Sequence, residues 1–205
     1  MKQIILASSS PRRHELLNLL EIPHQVLPCK EKEKEIPEDS SKTSIQKDFK
    51  KELIEVAKHK ALCVYHSSLL EPDHPSLIIS ADTIVVLEGE IIGKPDNLDE
   101  AKRMLTKLCG KTHQVFTAIC ILDTQTDQLS CSTEETRVHM IQCSDKLIDS
   151  YLAAEQVIDK AGAYAIQGKG AALIDRIEGC YYNVMGLPLS KLISMLSKMG
   201  YNYLK

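Results

Sequence analysis

The stretch LIISADTIVVLEGEIIGKPDN, residues 77–97, decides how the chain folds. Its apolar and β-branched runs predict strands at SLIIS and TIVVL. Glu88-Gly89 predicts a hairpin turn, after which EIIG returns as another strand. Asp82 follows the first apolar run, at a strand end, where a carboxylate commonly faces a cleft. Such a carboxylate can hold Mg²⁺ or orient a water molecule.

Two further features of this stretch bear on chemistry and on folding. Lys94 lies between Gly93 and Pro95 in GEIIGKPDN, and a lysine held by such a turn is less mobile than one on a helix face. Asn97 and Glu100 have the spacing of a capping box, which predicts a helix that ends at Gly110.

Upstream, ILASSSPRRHELL (residues 5–17) joins an apolar strand to a helix. Ser10 has the character of an N-cap and is followed by a proline at the first helical position. A helix N-terminus carries unsatisfied N–H groups and a partial positive charge. Hydroxyl and guanidinium donors gather at the same end, which predicts an anion site; the donors are Ser8, Ser9, Ser10, Arg12 and Arg13. The alternative is an ordinary serine-capped helix with surface arginines.

The remaining pattern mixes helices and strands. A helical apolar spacing over 45–65 carries Lys60 late in the helix, where lysines are usually only solvated. Alternating residues in HQVFTAICIL and STEETRVHMIQC predict two long antiparallel strands, and helices are expected at 145–155 and near the C-terminus. The class is therefore mixed α/β, with residues 1–205 as a single domain. The antiparallel stretch near 112–143 is a candidate second lobe, although composition places no boundary.

Composition excludes several function classes. The 205 residues include 43% hydrophobic residues and carry a net charge of −3, which argues against a general nucleic-acid or membrane-surface binder. The sequence contains no apolar run near the roughly 20 residues that span a bilayer. The apolar segment at the N-terminus is too short for a secretory signal, and polar residues follow it at once. This segment is therefore expected to be the first strand.

The cysteines predict an intracellular protein. There are seven, at positions 29, 63, 109, 120, 131, 143 and 180, and the number is odd with no CxxC pair. We expect them to be reduced, mostly buried thiols in a cytoplasmic protein.

Two short glycine motifs fail as nucleotide signatures. CGKT at 109–112 lacks the glycine that a Walker loop needs at position 105, which is leucine. QGKGA at 167–171 contains Gly-x-Gly but no GxGxxG after a strand.

Together, four blocks in matching order resemble the Maf family of nucleoside triphosphate pyrophosphatases. They are ILASSSPRRHELL, ISADTIVVLEGEIIGKPDNLDEAKRML, CGKTHQVFTA and AGAYAIQGKGAALIDRIEGCYYNVMGLPLSKL. The resemblance implies an elongated mixed-sheet α/β fold, similar to ITPases, with two lobes flanking a cleft, and often a homodimer. It also implies hydrolysis of a nucleoside triphosphate between the α and β phosphates, with Mg²⁺ or Mn²⁺ as cofactor.

The resemblance carries roles over to individual positions. Asp82 matches the proton acceptor, and Glu33 matches an acid that shares the metal with Asp82. Arg12, Thr83 and Gln167 match positions tied to substrate selection. The remaining matches line the phosphate site, and they are Ser8, Arg13, Lys60 and Lys94. Ser10, at the helix start, is also expected to bind the substrate there.

Within the family, AGAYAIQGKGA and IEGCYYNVMGLPL are similar to the dTTP/UTP subgroup. Gln167 offers a donor and an acceptor, as the N3–H and carbonyls of uracil or thymine require; the alternative is a residue that only braces its loop. Three positions depart from the residues that are frequent in the family: Ala165 stands where glycine is frequent, Lys169 where arginine is frequent, and Cys180 where aspartate is frequent. Two other functions stay open: the same chemistry on modified purine triphosphates such as 7-methyl-GTP, and a non-catalytic nucleotide-binding regulator of cell division.

Overall fold

The computed structural model of the 205-residue chain describes residues 2–30, 49–67, 70 and 74–204. Glu33 therefore lies outside the described residues. Seven β-strands occur in the described part: β1 (Gln3–Leu6), β2 (His24–Val26), β3 (Ser76–Leu87), β4 (Glu90–Ile92), β5 (Thr112–Asp123), β6 (Leu129–Met140) and β7 (Ile174–Glu178).

Six α-helices accompany these strands in the same described residues. They are α1 (Pro11–Leu19), α2 (Phe49–Tyr65), α3 (Leu98–Leu108), α4 (Asp145–Ala154), α5 (Tyr181–Val184) and α6 (Leu189–Lys198). Two 3₁₀ helices lie between α4 and β7, at Ala161–Ala163 and Gly168–Leu173. Of the described helices, none is long and apolar enough to cross a membrane.

The strands form one mixed sheet, which confirms the predicted α/β class. Its order is β2-β1-β3-β5-β6-β7, and β4 pairs with β3 outside that path. β1 is parallel to β2 and β3, whereas the pairs of β3 with β4 and β5, and of β6 with β5 and β7, are antiparallel. The two predicted runs SLIIS and TIVVL form a single 12-residue strand, because residues 77–86 pair with β5 without interruption.

Two strands share one edge of β3 and leave a gap between them. β1 pairs with residues 76–79 of β3, and β4 pairs with residues 85–87. Among the described strands, residues 80–84 of β3 are therefore paired only with β5. Because β1 is parallel and β4 antiparallel to β3, the carboxyl ends of both strands run toward the gap. Ligands of α/β proteins commonly bind at such a change in strand connection.

The gap also separates two hydrophobic clusters on one face of the sheet. Side chains alternate along a strand, and on this face Ala81 packs with α1 and α6, whereas Val85 packs with α3 and α4. Thr83 lies between them. On the opposite face α2 covers the sheet, with Ile78 and Ile84 of β3 in two adjoining clusters.

The predicted hairpin turn and the Asn97 cap are confirmed, whereas Ser10 occupies the N-cap position of α1 without a side-chain capping hydrogen bond. The Asn97 side chain accepts from the Glu100 backbone N–H at 2.9 Å, at the start of α3. Glu88 and Gly89 have φ of 53° and 86°, the left-handed values that a tight hairpin turn between β3 and β4 needs.

The expectation of reduced cysteines is wrong for six of the seven. Three disulfides form, with Cα–Cα distances of 5.7, 5.5 and 4.2 Å, between Cys29 and Cys63, Cys109 and Cys143, and Cys120 and Cys131. Cys180 is the free thiol. The partners are 34, 34 and 11 residues apart in sequence. Spacing did not reveal them, because tertiary packing brings together the cysteines of the first two bridges and the β5–β6 register brings together Cys120 and Cys131.

We expect thiol counting to find one free thiol in the unfolded, unreduced protein and seven after reduction. Each bridge that closes a 34-residue separation restricts the unfolded chain and should contribute about 3–4 kcal/mol. Reduction should therefore lower the midpoint of denaturant unfolding. The measurement is a thiol assay on protein whose thiols are blocked at lysis, and seven blocked thiols at that point would contradict the bridges.

Candidate active site

The gap beside β3 opens into a cleft of about 210 Å³. Every predicted site residue within the described part of the chain lines this cleft: Ser8, Ser10, Arg12, Arg13, Lys60, Asp82, Thr83, Lys94 and Gln167. They come from four separate parts of the sequence, and the strand ends at the gap explain why they meet. Glu33 is outside the described residues, so its position is not part of this site.

The Lys60–Asp82 pair lies at the floor of the cleft. The Lys60 ammonium is 2.8 Å from an Asp82 carboxylate oxygen, and Lys60 is only 6% exposed. Helix α2 approaches β3 closely, since Ala57 and Ala61 are fully buried and the Ser80 hydroxyl donates to the Ala57 carbonyl at 2.6 Å. Lys60 therefore neutralises the Asp82 charge and fixes the direction of the carboxylate.

Arg13 is a structural support of the cleft wall. It is 8% exposed, and its guanidinium donates to the Gly186 carbonyl at 2.9 Å, to the Ser8 hydroxyl at 3.0 Å and to the Thr83 hydroxyl at 3.2 Å. These bonds join the ends of β1 and α1 to β3 and to the segment after α5. Arg13 contributes charge to the cleft, while its donors hold protein groups.

The Ser8 hydroxyl is left with its proton to donate. Its oxygen accepts from the Ser10 backbone N–H at 3.2 Å and from Arg13. A serine hydroxyl has two acceptor positions and one donor, so both acceptor positions are occupied. A ligand in the cleft therefore meets Ser8 as a donor, which suits an anion.

Thr83 has the opposite polarity. The Thr117 hydroxyl donates to the Asn183 carbonyl at 3.1 Å, so it accepts the proton of Thr83 across 2.9 Å. Thr83 also accepts from Arg13, and it then has a single lone pair to offer. Asn183 is fully buried, and its amide donates to the Val115 carbonyl and the Thr136 hydroxyl, each at 3.0 Å.

Asp159 and Lys160 line the cleft and were missed by the sequence analysis. Arg12 lies 3.5 Å from the Asp159 carboxylate, which also accepts from Lys160 at 2.7 Å. Burial raises the pKa of Asp159, but the Lys160 hydrogen bond and the charges of Lys160 and Arg12 outweigh it and keep that pKa below its usual value. The signal was available: a carboxylate and an ammonium directly precede AGAYAIQG.

The segment that carries Gln167 forms the far wall of the cleft. The Gly162 N–H donates to the Gly93 carbonyl at 2.9 Å, which ties this wall to the turn of Lys94. The Tyr164 hydroxyl lies 2.7 Å from His113 Nε2 in a buried pair. Burial, with a smaller effect of His139, lowers the pKa of His113 to about 4, so His113 is neutral at neutral pH.

With this geometry established, comparison with known proteins assigns the family. The model for Maf-like proteins matches residues 3–199. The chain belongs to the Maf family.

Maf relatives match over nearly their whole length. A dTTP/UTP pyrophosphatase of Caldicellulosiruptor saccharolyticus is 45% identical, with 100% of this chain and 98% of the relative covered. The dTTP/UTP pyrophosphatase of Dictyoglomus thermophilum is 41% identical, with 99% of each covered. Among solved structures, the nucleoside-triphosphatase / dITP/XTP pyrophosphatase of Mycobacterium abscessus aligns at a TM-score of 0.40 and 11% identity, covering 97% of this chain and 95% of that one.

The acidic groups of the Maf cleft are few. Among the described residues no group of three or more His, Cys, Asp or Glu side chains has the arrangement of a metal site. Asp82 and Asp159 are carboxylates that line the cleft. Magnesium commonly takes only one or two protein carboxylates together with substrate phosphates, and a cleft with Asp82 at its floor fits that mode.

The two adjacent arginines should differ in their effect on stability. Arg13→Ala leaves a buried carbonyl and two hydroxyls without their donor, and we expect it to lower the free energy of unfolding by about 2–4 kcal/mol. Arg12→Ala removes a half-exposed ion pair and should cost less than about 1 kcal/mol.

Denaturant unfolding of both variants measures this difference. Arg13→Lys, which keeps the charge but loses the forked geometry, should fall between them. Equal losses for Arg12→Ala and Arg13→Ala would show that Arg13 does not support the wall.

Proposed function

We propose that this Maf chain is a nucleoside triphosphate pyrophosphatase that hydrolyses dTTP and UTP to the monophosphate and pyrophosphate. The observation that carries the proposal is the convergence of hydroxyl, cationic and carboxylate groups at the gap beside β3. The full-length relatives named dTTP/UTP pyrophosphatase support the choice of substrate.

The phosphates are held by donors at the β1–α1 side and by Lys94. A nucleoside triphosphate carries about four negative charges near neutral pH, since a terminal phosphate has its second pKa near 6. Arg12 and Lys94 line the cleft with cationic groups, and Ser8 directs its proton at the same space. The N-terminus of α1 adds its partial positive charge. Arg13 and Lys60 are buried in the cleft wall, and they add positive charge there while they hydrogen-bond to Ser8, Thr83 and Asp82.

Hydrolysis takes place at the α-phosphorus. Asp82 accepts a hydrogen bond from a water molecule and takes its proton as the oxygen attacks phosphorus. The bond between the α-phosphorus and the oxygen that bridges it to the β-phosphorus breaks, and pyrophosphate leaves. Lys60, 2.8 Å away, keeps the Asp82 carboxylate aimed at the water. Positioning and charge stabilisation then supply most of the acceleration.

A divalent cation, Mg²⁺ or Mn²⁺, is part of this proposal. Asp82 would hold it together with phosphate oxygens, and the resemblance adds Glu33. The cation would neutralise phosphate charge and polarise the phosphoryl group. We expect EDTA to abolish pyrophosphate release.

Thr83 and Gln167 select the nucleoside. Since the Thr83 proton goes to Thr117, Thr83 offers the cleft an acceptor, which suits a hydroxyl or N–H of the nucleoside better than a phosphate oxygen. Gln167 is half-buried in the cleft wall, and its amide matches the donor and acceptor edge of uracil or thymine.

We propose that the enzyme works on a small-molecule substrate and not on nucleic acid, in line with the net charge of −3. The three disulfides remove the cysteine argument for the cytoplasm, because such bridges persist mainly in oxidising compartments. We also expect a homodimer, which sedimentation of the purified protein measures directly.

Asp82→Asn should lower kcat by about 10²–10⁴-fold, the usual contribution of a positioned base, with little change in stability. Product analysis after incubation with dTTP and Mg²⁺ measures the effect. Asp127→Asn is the matched control, because Asp127 lies in the β5–β6 turn at φ 57°, where asparagine is readily accepted. Near-normal turnover of Asp82→Asn would show that Asp82 takes no part in the chemistry. If the wild-type protein binds dTTP but does not hydrolyse it, the non-catalytic regulator is favoured.

Gln167→Ala should reduce the preference for dTTP and UTP over CTP and GTP by about tenfold or more, since a lost buried hydrogen bond disfavours binding by 1–3 kcal/mol. A panel of triphosphates that includes 7-methyl-GTP, with monophosphate products identified, measures this ranking. An unchanged ranking would contradict base contact by Gln167. Highest activity of the wild type on 7-methyl-GTP would favour the purine alternative.

A further inference from the structure

We propose that the last turn of α4 is a platform that positions Gln167, and that Tyr151 is its positioning residue and thereby sets selectivity for the base. The inference rests on the proposed role of Gln167. The platform comprises Tyr151 and Ala154, which do not line the cleft themselves.

The platform holds the chain on both sides of Gln167. Two residues before it, the Ala165 N–H donates to the Tyr151 hydroxyl at 3.1 Å. Two residues after it, the Lys169 ammonium donates to the Ala154 carbonyl at 3.2 Å. Both acceptors belong to α4, so the helix holds the backbone before Gln167 directly and the chain after it through the Lys169 side chain.

Gly170 packs closely against the same segment, next to the Tyr151 hydroxyl. A Cβ on Gly170 would lie 1.9 Å from the Ala165 carbonyl oxygen and 3.2 Å from the Tyr151 hydroxyl. Only glycine permits such an approach, and Gly168 supplies the reversal with φ +60°. The Gly-x-Gly of QGKGA, which failed as a nucleotide signature, is therefore explained as a packing requirement next to Gln167.

Tyr151 is suited to hold one position firmly. Tyr151 is 5% exposed, and its ring packs in the cluster that α3 and α4 form against the sheet. Tyr164, one residue before the held peptide, is anchored independently to His113. On a fixed backbone the positions that a glutamine amide can reach are limited to its own side-chain rotations, whereas on a loose loop the backbone moves as well and more bases can be accommodated. Selectivity then depends on a residue that never touches substrate.

The test is a change of nucleotide ranking without loss of turnover. Tyr151→Phe removes the hydroxyl acceptor and keeps the ring. We expect the ratio of kcat/KM for dTTP over CTP and over GTP to fall about fivefold or more. The effect should lie in KM, with kcat on dTTP within about twofold of wild type. Tyr201→Phe is the matched control, a tyrosine 9% exposed in the other main cluster, and it should leave the ratio unchanged.

A double variant ties the effect to Gln167. In a Gln167→Ala background, Tyr151→Phe should cause no further loss of selectivity, because the two residues act in series. Gly170→Ala should reproduce the loss of Tyr151→Phe, with thermal unfolding recorded for each variant. Should Gly170→Ala not fold, the Tyr151→Phe and double-variant results decide alone.

The outcomes separate the platform from the proposed function. If Gln167→Ala changes the ranking and Tyr151→Phe does not, the platform is wrong and base contact by Gln167 stands. If Gln167→Ala leaves the ranking unchanged, the base-reading role itself fails. If Tyr151→Phe lowers kcat equally for all nucleotides, or lowers selectivity further in the Gln167→Ala background, the Tyr151 hydroxyl stabilises the fold in general and the proposal is overturned.

Discussion

The incomplete edge of β3 is the constraint on which the site depends. A sheet edge normally continues or is covered, because unpaired backbone groups invite other contacts. Here β1 ends opposite residue 79 of β3 and β4 ends opposite residue 85, so the strand keeps its β5 partner while its other side opens to a cleft. Asp82 and Thr83, on opposite faces of β3, reach the same space because none of the described strands pairs with that side of β3 there.

The two arginines of the SSSPRR sequence show how a helix divides tasks between neighbours. Successive residues of an α-helix point about 100° apart, as 3.6 residues per turn requires. The Arg13 side chain is buried in the cleft wall, where three of its N–H groups donate to Ser8, Thr83 and Gly186. Arg12 faces the cleft. A doublet that suggests two phosphate ligands in the sequence is, in the structure, one support and one group available to a ligand.

The sequence predicted the elements well because their signals are local. The Asn97 cap, the Glu88-Gly89 turn and the alternation of β5 and β6 each depend on a few neighbouring residues. The motif blocks also pointed to most of the polar side chains that line the cleft. The disulfides and the burial of Arg13 depend on packing between distant segments, which no spacing along the chain encodes. Glu33 lies in a charged run whose pattern matches the family weakly.

The two ion pairs of the cleft differ in burial, and this difference suits a polyanionic substrate. The Lys60 side chain is 8% exposed and that of Asp82 22%, and separating such a pair leaves a buried charge, which is costly. In the Arg12–Asp159 pair the side chains are 27% and 59% exposed, and pairs of this kind contribute about 0–1 kcal/mol. A triphosphate can therefore displace Asp159 from Arg12 at little cost, whereas Lys60 stays with Asp82. On the proposed mechanism, substrate binding would rearrange the groups around Arg12 and leave the Asp82 carboxylate where the fold has set it.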